Sequence, residues 1–275
     1  RMACEGMKLT QFYVGAGVST PSRAALMTGR LPVRNGLYGD RVAVLFPNSK
    51  AGLGQDEVTI AKVLQQSGYA TGCVGKWHLG AFSPYLPTDH GFDTYFGIPY
   101  SNDMSRKEQI KLGNTKYPYE YIIYEQEKEL EREPQQYNLT QQVTEAAIRY
   151  IKSNENSPFF LYLAHPMPHM PVYASTDFQG KSARGKYGDT VEELDWSVGQ
   201  ILQTLKSEGL DKNTLVIFTS DNGPWLLCKQ EGGSPGPLKD GKASMFEGGF
   251  RVPCIMWGAM VKPGYITDMA STLDL

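Results

Sequence analysis

The chain has 275 residues, 41% of them hydrophobic, which is enough for one large core, and no Gly/Ser/Pro-rich linker divides it. A net charge of −2 without a Lys/Arg-rich tract excludes the basic footprint of a nucleic-acid or membrane-surface binder. No apolar run is long enough to span a bilayer, and no signal peptide opens the chain. Cys4, Cys73, Cys228 and Cys254 have neither CxxC nor zinc-like spacing, so isolated buried thiols are expected rather than a disulfide scaffold.

Residues 8–14 read as a strand leading into Gly-Val-Ser-Thr-Pro-Ser-Arg-Ala-Ala-Leu-Met-Thr-Gly-Arg, residues 17–30. Pro21 suits a first helical position, Thr20 its N-cap, and Gly29 the left-handed residue that ends the helix. Ser19 is then expected just ahead of a helix N-terminus, with Arg23 one turn in. A hydroxyl, a fork-shaped cation and free N–H groups suit a tetrahedral oxyanion such as sulfate or phosphate. Taken alone, a capping Ser-Thr and a solvated arginine account for these residues as well.

From Thr59, the residues Ile60, Val63 and Leu64 give a helical stripe ended by Gly68, and 69–74 read as a buried strand. The polar section 105–136 reads as an excursion or hairpin lobe whose tyrosines either stabilise the hairpin or line a sugar site. Asn138-Leu139-Thr140 fits a glycosylation sequon. A helix with Val143, Ala146, Ala147, Tyr150 and Ile151 on one face precedes a strand at 159–164. Asp189 is expected to cap a helix with Val191, Leu194, Val198, Ile201, Leu202 and Leu205 inward, closed by Gly209. Residues 215–219 form a continuous apolar strand, 252–257 read as the last strand, and a helical pattern begins towards Leu275.

Strands alternating with helices mark an α/β protein. Lys76 and His78 lie past one strand end, His165 and His169 past the next, and Asp221 and Asn222 past a third. Open α/β sheets bind ligands along that carboxyl edge. Lys76 is a point charge for an oxyanion, and His78 can move a proton near neutral pH. Asp221 and Asn222 offer adjacent hard oxygens that suit Ca²⁺ or Mg²⁺, although Asx before Gly is more often a turn former.

The stretch at 17–30 resembles the signature of the type I sulfatases: Cys or Ser, any residue, Pro, Ser, Arg, two residues, two apolar residues, Thr, Gly. Gly-Tyr-Ala-Thr-Gly-Cys-Val-Gly-Lys-Trp-His at 68–78 fits that family's second signature, in the right order. The resemblance spans the whole chain and is closest to the arylsulfatase A and N-acetylgalactosamine-6-sulfatase branches. It implies an alkaline-phosphatase-like α/β fold, with a large, mostly parallel mixed sheet flanked by helices. One catalytic domain over 1–275 is expected, incomplete at both termini.

The resemblance also implies chemistry. Ser19 stands where the family carries the residue that a maturase oxidises to formylglycine; most members start from Cys, so this chain looks like the serine-type branch. Asp221 and Asn222 match calcium ligands, and the family's further Asp pair would lie upstream of Arg1. Arg23, Lys76 and Lys242 match residues that hold sulfate oxygens, and Ser101 aligns with a sulfate-contacting position. His169 matches the proton donor to the departing alcohol, and His78 the base that expels sulfate. His90 and His165 match no role. The implied activity is hydrolysis of a sulfate monoester on an aryl alcohol or a sulfated glycan such as a galactose-type 6-sulfate. The implied location is extracytoplasmic: periplasmic, secreted or lysosomal. Two other readings stand beside it: an inactive sulfated-glycan binder, and a phosphatase or phosphodiesterase of the same superfamily. Four histidines and no Asp-Asp pair weigh against the latter.

Overall fold

The computed structural model describes residues 1–38 and 43–275. In chain order the elements are α1 (Met2–Glu5), β1 (Met7–Tyr13), α2 (Ser19–Thr28), α3 (Pro32–Asn35), α4 (Ile60–Gln66), β2 (Ala70–Lys76), β3 (Thr94–Ile98) and α5 (Arg106–Lys111). There follow β4 (Ile122–Glu125), β5 (Lys128–Arg132), α6 (Leu139–Ser153), β6 (Phe159–Ala164), α7 (Gly185–Ser207), β7 (Val216–Thr219), α8 (Glu247–Phe250), β8 (Arg251–Trp257) and β9 (Gly264–Ser271). These segments form two units: Arg1–Val44 with Leu202–Lys229 and Gly233–Leu275, and Leu45–Ile201 with Gln230–Gly232. Each unit draws on separated stretches, which is why no linker composition marks a boundary.

The first unit holds a sheet of order β7-β8-β1-β9. Strand β8 is antiparallel to both neighbours, whereas β9 runs parallel to β1. Leu9, Phe12, Val14, Val252 and Cys254 form its buried cluster, joined by Met7, Ile217, Met256 and Ala270. Because β1 and β7 both oppose β8, their carboxyl ends share one edge. The chain leaves that edge towards Ser19 and towards Asp221.

The second unit holds a sheet of order β5-β4-β3-β2-β6, with β3, β2 and β6 parallel and β4 and β5 antiparallel. Trp77, Phe92 and Phe160 pack in sequence, at centroid distances of 5.9 and 6.0 Å. Gly75 allows β2 and β6 to close: it sits at φ 105°, and a Cβ there would stand 2.0 Å from the Ala164 carbonyl oxygen. Gly75→Ala is expected to cost about 3 kcal/mol or more, because backbone has to move and the left-handed φ is strained as well. A urea midpoint equal to the wild type would remove this requirement.

Several local expectations hold. Thr59 caps α4, accepting from the Lys62 N–H at 3.1 Å, and Gly29 ends α2 at φ 61°. Others are corrected. Helix α2 begins at Ser19 with Val18 as N-cap, so Ser19 lies in the first turn and neither Thr20 nor Ser19 caps with its side chain. Asp189 does not cap α7 but lies within it. Its carboxylate accepts from the N–H groups of Gly180, Lys181 and Ser182, at 2.8, 3.1 and 2.8 Å, and so ties down the loop before the helix. Val191 is 41% exposed, while Glu193 and Ser197 are fully buried. The inward face of α7 is polar there because Glu193 accepts from Ser175 N–H and Ser197 meets the His165 ring. β8 is not the last strand: β9 follows and pairs with β1. The described strands hydrogen-bond as two mixed sheets rather than one large one.

His90 is buried and His165 half-buried, and desolvation pushes each down to about 4. The unfolded chain therefore binds protons at these positions below about pH 6.5 that the folded chain refuses. Stability is fully present above pH 6.5 and is lost as pH falls towards 4. His165→Gln is expected to flatten that decline in a melting-temperature series, and an unchanged slope would refute it.

Candidate active site

The first cluster lies on the first unit. Strand β1 delivers Ser19 to the start of α2, and Arg23 follows on the same face one turn later. β7 delivers Asp221 to the same sheet edge. The Ser19 hydroxyl donates to Asp221 Oδ2. Arg23 Nε donates to that same oxygen at 3.0 Å and lies 3.2 Å from Ser19 Oγ. Ser19 and Arg23 are buried at 3% and 6% exposure, so this triangle is largely shielded from bulk water. A carboxylate that accepts from the hydroxyl draws its proton, and a guanidinium beside both oxygens favours negative charge there.

The loop carrying Lys242 is held by its backbone: Lys242 N–H donates to Pro224 O at 2.8 Å, and Ala243 N–H to Gly17 O at 2.9 Å. Its ammonium lies 4.2 Å from the Trp225 ring centroid. Gly223 lets the two loops meet, since a Cβ there would be 1.7 Å from the Gly248 carbonyl oxygen. The Asn222 amide nitrogen donates to Gly223 O at 2.9 Å, so its side-chain oxygen is the atom of a type that a hard cation takes.

The second cluster lies on the second unit. Strands β3, β2 and β6 are adjacent and parallel, so Ser101, Lys76 and His169 follow three neighbouring carboxyl ends. Lys76 Nζ donates to Ser101 Oγ at 3.2 Å, and Ser101 Oγ is 3.4 Å from His169 Nδ1. Lys76 and Ser101 are buried. His78 stands at φ 65°, a left-handed conformation that a non-glycine residue adopts at a cost. Its Nε2 is 2.9 Å from the Leu45 carbonyl. A carbonyl only accepts, so the neutral ring carries its hydrogen on Nε2 and presents Nδ1 as the base.

Of the residues expected from the sequence, the structure groups Ser19, Arg23 and Asp221 directly, and Lys76, Ser101 and His169 directly. It places Lys242 on a loop braced against the first cluster's chain and gives His78 a separate anchor. Asn102 and Asp103, which touch the His169 segment, were not singled out in the sequence. The short β3 before them, Thr-Tyr-Phe-Gly-Ile, carries no recognisable strand pattern, so nothing marked 101–103 as a strand-end turn.

Among the described residues, no group of three or more His, Cys, Asp or Glu is placed to hold a metal ion. Asp221 and Asn222 match a hard divalent cation in donor type and supply two of the six to eight oxygens that calcium takes. No described helix is long and apolar enough to cross a membrane.

The family model described as Sulfatase matches residues 1–275. The chain is 42% identical to N-acetylgalactosamine-6-sulfatase of Mus musculus, covering 100% of this chain and 55% of that protein. It is 40% identical to arylsulfatase A of Bos taurus, covering 100% and 56%. The chain thus spans about half the length of the curated relatives it matches. Among solved structures, Ps i-CgsB in complex with k-i-k-neocarrahexaose superposes with TM-score 0.83 at 34% identity, over 99% of this chain and 63% of that one. A Bacteroides thetaiotaomicron protein described as 6S-sulf, from a study of glycosaminoglycan metabolism, gives TM-score 0.85 at 30% identity, over 100% and 69%. These neighbours have the alkaline-phosphatase-like fold, and family membership carries with it a formylglycine and a divalent metal in general terms. With two signatures in order, both clusters at strand carboxyl ends and matches over the whole of this chain, the chain belongs to the sulfatase family.

Proposed function

We propose that the protein of which this chain is part hydrolyses a sulfate monoester on a sulfated glycan or an aryl alcohol. The observation that carries the reading is the triangle of buried Ser19 and Arg23 with half-buried Asp221 at the first turn of α2. Oxidised to formylglycine by a maturase, position 19 supplies a hydrated aldehyde whose oxygen attacks sulfur. Asp221 Oδ2 takes the proton from the oxygen at position 19, and Arg23 Nε steadies the charge that develops. Asp221 and Asn222 would hold a divalent cation, which we take to be calcium, and that ion would neutralise charge on the sulfate oxygens. Lys242, Lys76 and Ser101 bind sulfate oxygens by charge and hydrogen bond. His169 protonates the departing alcohol, and His78 Nδ1 removes the proton that lets sulfate leave. The relative named N-acetylgalactosamine-6-sulfatase and the neighbour solved in complex with k-i-k-neocarrahexaose support a sulfated galactose-type sugar as the substrate class. An extracytoplasmic location suits such a substrate.

The matured full-length protein is expected to turn over an aryl sulfate at least 100-fold faster than the phosphate with the same leaving group. Keeping the leaving group constant isolates recognition of the transferred group. Faster phosphate turnover would overturn the proposal in favour of a phosphatase. Binding of a sulfated oligosaccharide without turnover of any sulfate ester would overturn it in favour of a glycan-binding protein.

A further inference from the structure

Three successive residues shortly after β3, Ser101, Asn102 and Asp103, meet His169 in three different ways. Ser101 Oγ lies 3.4 Å from its ring Nδ1. Asn102 Nδ2 reaches its backbone carbonyl at 3.4 Å and that of Pro171 at 3.0 Å, and a reciprocal pair with Gln136 at 3.1 Å fixes Asn102 itself. Asp103 Oδ1 stands 3.8 Å from Nδ1, and this carboxylate oxygen is buried without a hydrogen-bond partner. The Met170 carbonyl approaches the same nitrogen at 2.6 Å. A carbonyl and a carboxylate can only accept, so these two oxygens demand a hydrogen on Nδ1, while the Ser101 hydroxyl can accept or donate and suits either tautomer.

We infer that Asp103 is a positioning residue for His169: with the Met170 carbonyl it holds a proton on Nδ1, leaves Nε2 as the transferring nitrogen and favours the imidazolium. A buried acceptor with no hydrogen-bond partner is costly. Its cost falls when the facing ring carries positive charge, so the carboxylate and the proton on Nε2 support each other. Among the described residues, charged groups that face the ring include Asp103 and, through Ser101, Lys76 on β2. Lys76 opposes ring protonation and Asp103 favours it, with Asp103 the nearer. Tyr117 and Tyr121 face Asp103 from the segment before β4; both phenols are raised, first by burial and then in part by its charge. They therefore stay neutral near pH 7. The inference rests on the proposed role of His169 only in its kinetic arm.

The test is nitrogen-15 NMR titration of the full-length matured protein, with the His169 signal assigned as the one lost in His169→Gln. In the wild type, the neutral ring is expected to carry its hydrogen on Nδ1. In Asp103→Asn, the His169 midpoint is expected to fall by about one pH unit, as for loss of an opposite charge within several ångströms. Asp103→Glu keeps the charge and is expected to restore most of that shift. A neutral wild-type ring with hydrogen on Nε2, or an Asp103→Asn midpoint equal to the wild type, overturns the inference. If Asp103→Asn does not fold, the wild-type tautomer and the Asp103→Glu midpoint still decide it.

In kinetics, the alkaline limb of kcat/KM on a sugar sulfate is expected to move to lower pH by the same unit. The variant then loses about tenfold at pH 8 and little at pH 5. A nitrophenyl sulfate, whose leaving group needs little protonation, is expected to be nearly unaffected. Equal losses on both substrates at every pH would mark a merely structural role and overturn the inference. An NMR shift without a kinetic one supports the inference and instead removes His169 as the proton donor in the proposed function.

Discussion

Ser19→Ala is expected to abolish sulfate-ester turnover in the full-length protein, a loss of about 10⁴-fold or more, because no other group can supply the attacking oxygen. The same outcome is expected for wild-type protein made without a maturase that accepts serine. Oxidation of the Ser19 side chain removes two hydrogens, a fall of about two mass units on the peptide that contains it. Trapping with a hydrazine recovers any hydrated fraction. Activity should rise in proportion to the modified fraction across preparations. Full activity in protein whose Ser19 is wholly unmodified would sink the formylglycine route, since the hydroxyl would then be the nucleophile itself.

Asp221→Ala is expected to have the second largest effect. It removes the acceptor for the Ser19 hydroxyl, one partner of a guanidinium that is only 6% exposed, and one of two candidate cation ligands. Turnover should fall by at least 10³-fold, and calcium binding measured by calorimetry should disappear. Stability should drop by about 2 kcal/mol even in calcium-free buffer, because a buried cation has lost a close partner. Cys73→Ser, within β2, serves as the control and should leave calcium binding intact. Unchanged calcium binding in Asp221→Ala would remove the metal assignment. Unchanged stability would show that the remaining contacts of Arg23 carry its burial.

The sequence by itself marked the candidate residues at each strand end. The contiguous signatures at 17–30 and 68–78 named Ser19, Arg23, Lys76 and His78 because their roles depend on spacing within one helix turn or one strand end. The apolar runs of β1, β2, β6, β7 and β8 were legible because each concentrates apolar residues over strand length, even in β7 and β6, where most of them are only half-buried. β9 was not legible, since most of its residues are exposed and it is held by ladder hydrogen bonds to β1 rather than by an apolar face. The polar inner face of α7 was hidden too. Its burial is compensated by groups distant in the chain, the Ser175 N–H and the His165 ring. Only the tertiary structure decided which strand ends become neighbours. β3 lies beside β2 and brings Ser101, Asn102 and Asp103 to His169, across a separation of more than sixty residues. Strand order and the approach of backbones at Gly75 and Gly223 follow from long-range packing, which leaves no periodic trace along the chain.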